Sequence, residues 1–206
     1  MRSLIVTGDD FGARPGVNRA IARAYDEGIL TGASLIVTGE FLDQAVALAR
    51  ERSGLATGLH LVLCDATAAS PPGAIPDLVT PDGRFPSAPG RTGMVHWIWR
   101  RRRSGQLEKE IRAQVERYLA TGLPLNHVDG HHHLHMHPVI FDILVRCMED
   151  YKIPWVRLVD EGRRARRPGD PLLGELVATI FGLLAARHRR VLFRLGAARA
   201  PDRVYG

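Results

Sequence analysis

ASLIVTGEFLDQAVALARERSG, residues 33–54, changes its hydrophobic period midway. Its first part, ASLIVTG (33–39), is a short apolar run closed by glycine, as expected of a buried strand. Its second part, FLDQAVALARERSG (41–54), carries apolar residues at helical spacing as far as Gly54, which falls where a left-handed residue ends a helix. A strand feeding an amphipathic helix is the building unit of an α/β fold.

The same unit recurs on both sides. SLIVTG (3–8) reads as a strand, and the stretch after Pro15 puts Val17, Ala20, Ile21 and Ala24 on one helical face before Gly28. LATGLHLVL (55–63) is a third strand. Gly, Pro and Ala dominate from Asp65 to Gly93, which makes a long loop of the kind that usually carries function. A polar helix is expected over about Leu107–Ala120, a strand near Leu125–Val128, a helix from Pro138 and a strand over Trp155–Val159. The last forty residues read mostly as helix. Such alternation implies a parallel sheet with right-handed crossovers. Five strands fall short of the eight of a closed barrel. The expected fold class is therefore α/β, a parallel (β/α) barrel-like sheet that is incomplete toward the C-terminus.

Bulk properties narrow the function. With 206 residues, 45% of them hydrophobic, the chain can bury one core, so a single domain over 1–206 is expected. Cys64 and Cys147 lie far apart in apolar segments and read as buried reduced thiols of a cytoplasmic protein. MRSLIVTGDD turns acidic too early for a signal peptide. The charge is lopsided: residues 1–95 hold 8 Lys+Arg against 10 Asp+Glu, and residues 96–206 hold 20 against 12, so the formal +6 arises in the second half.

In parallel sheets chemistry collects at the C-terminal edge of the strands. Suspicious polar residues stand there three times: Asp9 and Asp10 after the first strand, His60 in the third, and Asp129 with His131 after the strand that opens NHVDGHHHLHMHP (126–138). That stretch holds six of the nine histidines. Adjacent carboxylates diverge from an extended segment, so one can bind a metal while the other stays free. Asp10, His60 and His131 would supply a carboxylate and two imidazoles, a set suited to Zn²⁺ with a position left for water, and Asp9 could take that water's proton. Metal-assisted hydrolysis is the expected chemistry. Taken singly, Asp-Asp before Phe-Gly could be an ordinary turn and His60 a core residue; it is the three together that favour a site.

TGDDFG (7–12), GLHLVL (58–63) and HVDGHHHLHMHP (127–138), in this order, resemble the YdjC-like family of carbohydrate deacetylases. PPGAIPDLVTPDGRF (71–85) and EIRAQVERYLATGLPLNHVDGH (110–131) are similar to its hopanoid-associated HpnK branch. The resemblance covers about residues 1–160 and leaves 160–206 as a divergent or shortened part. It implies that Asp10, His60 and His131 bind a divalent metal, Zn²⁺ or Mg²⁺, with Asp9 as base. It also implies removal of an N-acetyl group from an amino sugar, either an oligosaccharide or a glycolipid such as an acetylglucosaminyl hopanoid. Two imidazoles favour Zn²⁺. The departure is at the C-terminus, where the family's late His-Pro-Gly element does not occur, so a metal-binding member impaired in catalysis is the alternative.

A general acid must protonate the departing amine. His135 and His137 are candidates if the stretch is extended, with His135 preferred, while His127 and Asp129 suit supporting roles behind the ligands. His132 and His133 are expected to line the site or meet solvent. VHWIWRRRRSG (95–105) sets Trp97 and Trp99 beside Arg100, Arg101, Arg102 and Arg103, which suits an anionic membrane surface, so peripheral attachment at the inner face of a membrane is a further expectation. LLGELVATIFGLLAA (172–186) is apolar but too short and interrupted to span a bilayer; it could instead pack on the core, dimerise or dip into a membrane interface, so a homo-oligomer is considered. A His-x-Asp iron oxygenase is disfavoured by the strand–helix alternation. Nucleic-acid binding rests on the arginines alone and is not expected.

Overall fold

The structure, a computed structural model, describes residues 4–87, 100–160, 172–196, 199–202 and 204. Trp97 and Trp99 lie outside the described residues, as do the side chains of Arg100, Arg101 and Arg102. Four strands, β1 (Thr7–Phe11), β2 (Gly32–Leu35), β3 (Ala56–Leu61) and β4 (His127–Gly130), form one parallel sheet in sequential order. Helices α1 (Pro15–Asp26), α2 (Leu42–Arg50), α3 (Arg100–Leu119), α4 (Pro138–Asp150) and α5 (Leu172–Leu195) accompany it. The α/β barrel-like expectation is met. The fifth expected strand shrinks to a bridge of Val156 to Val128, flanked by bonds from Val128 N to the Trp155 carbonyl and from Arg157 N to the Val128 carbonyl. Short as it is, that bridge fixes Arg157 beside β4.

β1 begins four residues later than the apolar run suggests. Leu4 and Ile5 are exposed, so their hydrophobicity marks no buried strand. The shift carries Asp9 and Asp10 into the strand rather than past its end. On α1 the inward face is Asn18, Ile21 and Ala22, while Ala20 is exposed. Asn18 is tolerated there because its side chain accepts from Gly12 N at 2.7 Å and donates to the Phe41 carbonyl at 3.1 Å, which ties the β1 loop to the start of α2.

Helix α3 is polar in composition, yet it buries Leu107, Glu110, Ile111, Gln114, Val115 and Tyr118. Glu110 accepts from the Ala69 and Ser70 amides at 2.8 Å each, and Gln114 bridges both backbone groups of Val62. The long loop after β3 is thereby pinned to α3. Cys64 and Cys147 are buried and free, and burial pushes the Cys64 thiol up to about 11.

Register does the rest. His60 of β3 pairs with Asp129 of β4, and Gly58 pairs with His127. Because Gly58 has no side chain, the His127 ring crosses over it and meets the Ser34 hydroxyl of β2 at 3.0 Å. A Cβ on Gly58 would lie 2.5 Å from that ring, closer than packed atoms come. Gly58→Ala should therefore displace His127 and lower the free energy of unfolding by about 1–3 kcal/mol, the usual cost of overpacking, as read from urea titration.

Candidate metal centre

The three strand ends converge. Asp10, His60 and His131 place one ligand atom each within 4.8 Å of one another. Asp10 Oδ1 lies 3.4 Å from His60 Nε2 and 3.1 Å from His131 Nδ1, yet accepts a hydrogen bond from neither. Ligands at the corners of a zinc tetrahedron stand about 3.4 Å apart for bonds of about 2.1 Å. A buried oxygen and two ring nitrogens that approach this closely without bonding one another fit a shared cation. Side-chain exposure rises from 3% at His60 to 21% at His131 and 41% at Asp10, so the outer side is open to a fourth ligand.

Asp10 reaches this place through a break in the pleat. The register slips between Gly8 and Phe11, and Asp10 adopts φ 61°, a left-handed conformation that Asp tolerates better than most residues. Strand alternation, which would send Asp9 and Asp10 to opposite sides, is suspended at this bulge. Both carboxylates consequently approach His60. The His131 ring beside it, working against burial, holds the Asp10 carboxyl below the ordinary range.

Behind the cluster stands Asp129, fully buried. Its Oδ1 is 2.7 Å from His60 Nδ1, and a carboxylate can only accept, so that nitrogen carries the proton and Nε2 presents its lone pair toward Asp10. Asp129 Oδ2 accepts from Ser34 Oγ at 2.6 Å and forms an ion pair with an Arg157 NH2 at 2.7 Å. Burial alone would favour a neutral Asp129, but His60 and Arg157 overrule it and keep its pKa low. Burial likewise opposes charge on His60, which the Asp129 carboxylate reverses to a raised pKa. His127 donates to the Ser34 hydroxyl, whose own proton goes to Asp129, and so stands three hydrogen bonds from His60; its pKa is lowered by burial.

Arg157 grips Asp9 with two parallel bonds of 2.6 and 2.7 Å. The same guanidinium therefore bridges Asp9 and Asp129. Nothing in the composition or spacing pointed to it; the available hint was a lone charge inside the apolar run PWVRLV (154–159). Ser34 was equally unmarked.

Among the described residues two further His/acid sets are close enough to share an ion. Asp9, His60 and Asp129 are already joined through Arg157 and the His60 Nδ1 bond, so their atoms are spoken for. Asp65, His131 and His132 compete with the first set for His131.

The histidine run is not extended. His131–Met136 forms 3₁₀ turns in which His132 and His133 have φ of 50° and 56°, which removes the alternation that would aim His135 and His137 alongside His131. His135, expected from the sequence as the general acid, is wholly buried, with Nε2 donating to the Arg157 carbonyl at 2.8 Å. Burial brings its pKa down to about 4, so it is neutral near pH 7. His137 also faces inward, with its pKa lowered by burial. His132 is exposed, its ring centroid 4.2 Å from that of His131.

The chain is 43% identical over 152 residues to a carbohydrate deacetylase of Brevibacillus brevis, covering 73% of this chain and 57% of that protein. It is 37% identical over 167 residues to one of Geobacillus stearothermophilus (81% and 64%), and 34% identical over 169 residues to a chitooligosaccharide deacetylase of Serratia marcescens (79% and 62%). The chain thus spans less than two thirds of these relatives. A solved structure from Enterococcus faecalis V583, of a protein named for cellobiose-phosphate cleavage, superposes with a TM-score of 0.68 at 22% identity, covering 96% of this chain and 66% of the other, which speaks to the fold. A family profile described as YdjC-like protein matches residues 3–206, and with the strand-end cluster in place the chain belongs to the YdjC-like family.

Proposed function

We propose that this protein is a metal-dependent hydrolase that removes the N-acetyl group from an amino sugar. The observation that carries the reading is the approach of Asp10 Oδ1 to His60 Nε2 and His131 Nδ1 at 3.4 and 3.1 Å without a hydrogen bond among them. The deacetylase names of the relatives supply the substrate class. In this proposal Asp10, His60 and His131 hold a divalent ion, zinc rather than magnesium on the strength of the two imidazoles. When bound, such an ion supplies an acidified water and polarises the acetyl carbonyl.

The other roles fall to the chain. Asp9 receives the proton of the attacking water and returns it to the departing amine as the C–N bond breaks. Its carboxylate can do so while held by Arg157, because each oxygen keeps a second lone pair and the side chain is 36% exposed. Arg157 orients Asp9 and relieves the repulsion between Asp9 and Asp129. His127 and Asp129 orient His60. The proposal keeps His135 as a residue that turnover needs, acting through the Arg157 carbonyl to which it is bonded. The HpnK likeness extends the substrate class to an acetylglucosaminyl glycolipid. A non-catalytic metal-binding member, which would use the same three ligands, is the rival.

Three outcomes test this. Protein loaded with Zn²⁺ should release acetate from N-acetylchitooligosaccharides, a chelator should abolish the release, and His60→Ala should lose both bound metal and activity; full metal occupancy with no acetate from any N-acetylated sugar would leave the scaffold reading. Asp129→Asn should weaken metal binding by about 10–100-fold in chelator competition. In wild-type protein the affinity should fall as pH drops through the imidazole range, beginning above the pH typical of histidine, because the raised pKa of His60 lets a proton compete for Nε2 early. Arg157→Lys, which cannot grip Asp9 with two bonds, should lower kcat by about a hundred-fold while metal content stays unchanged, since Arg157 touches none of the three ligands.

A further inference from the structure

One line of α5 faces away from the fold. At about 3.6 residues per turn, positions 176, 180, 183, 187, 190 and 194 fall on a single stripe. Its first half is apolar and exposed: Leu176 57%, Ile180 46% and Leu183 69%. Its second half is basic, with Arg187, Arg190 and Arg194. Val177 and Leu195 flank it on one side and Phe193, 89% exposed, on the other.

The opposite face is firmly docked. Ala185, His188 and Leu192 are buried, His188 stacks on Phe141 of α4 at 3.6 Å and bonds the Met136 carbonyl at 2.8 Å, and Phe181 meets His133 edge to face. The exposed stripe is thus what remains after the helix has packed. From Leu176 to Leu195 there are four arginines and no acidic residue. Arg187 binds Asp142, and Arg189 binds the carbonyls of Pro201 and Asp202. Arg190 and Arg194 have no ion-pair partner among the described residues, and with Arg189 and Phe193 they line a shallow depression.

We propose that this stripe docks the protein on an anionic lipid surface. Charge and shape choose the occupant. Leu176, Ile180 and Leu183 can enter the acyl boundary while the long arginine stems follow the same line and leave their guanidinium groups among phosphates. A second copy fits the stripe less well. Antiparallel pairing about a twofold sets the arginines of one copy on the leucines of the other, and parallel pairing sets arginine against arginine. The described helices are not long and apolar enough to cross a bilayer, so the contact is peripheral. The surface lies outside the metal cluster, and the proposal stands or falls separately from the deacetylase reading.

Sedimentation of the full chain with phosphatidylcholine vesicles, with and without phosphatidylglycerol, tests it. Binding is expected with phosphatidylglycerol alone and should be lost at high salt. It should be lost in Ile180→Glu/Leu183→Glu and be about thirty-fold weaker in Arg190→Gln/Arg194→Gln, from roughly 1 kcal/mol per arginine near a charged membrane. Both variants alter exposed side chains, and circular dichroism confirms that they fold. Equal binding to neutral and anionic vesicles, binding unchanged in both variants, or a wild-type dimer in light scattering that Ile180→Glu/Leu183→Glu dissociates would overturn the proposal, the last by giving the face to a second copy.

Discussion

A single carboxylate with no access to water organises the centre of this molecule. Placing an ionised Asp129 in the interior is expensive unless each of its oxygens is matched by donors. The fold provides three: the His60 ring, the Ser34 hydroxyl and the Arg157 guanidinium. They come from β3, β2 and the segment after α4, so satisfying one charge aligns three parts of the sheet. The same bonds set the tautomer of His60, direct its free nitrogen outward and place a cation where Asp9 can be gripped. Removing any one donor would leave the charge short of a partner.

Backbone strain is gathered around the same spot. Among the described residues five non-glycine residues have positive φ, and Asp10, Asp65, His132 and His133 are four of them. Such conformations persist only where the surroundings over-determine them. At Asp10 the left-handed turn brings two neighbouring carboxylates to one side of a strand, and at His132 and His133 it folds the chain back after His131. Geometry that a regular strand could not produce is concentrated where the ligand atoms meet. The strand ends supply the rigid frame, and the irregular residues aim the side chains.

Much of the centre was legible in the residue order. Asp10 and His131 stand out because each follows an apolar strand and His60 because it lies within one, and parallel strands bring their ends to one edge whatever the details of the helices. Asp129 and His127 could be read as supporting residues from their place in the same strand. Other features were not legible. Leu4 and Ile5 look like the start of β1 but remain outside the core, and Ala20 looks inward where Asn18 is buried instead. Asn18 earns its place through hydrogen bonds to residues distant in sequence, which no periodicity records.

What the sequence determined by itself is the alternation of strand and helix, the parallel sheet that follows, and the gathering of Asp10, His60 and His131 at one edge of it, because hydrophobic period and turn chemistry are local properties. Tertiary structure alone decided that Arg157 joins Asp9 to Asp129, that His135 turns inward to a carbonyl, that Gly58 makes room for His127, and that one line of α5 is left uncovered. Each of these depends on contacts between segments tens of residues apart, and such contacts exist only once the chain has closed upon itself.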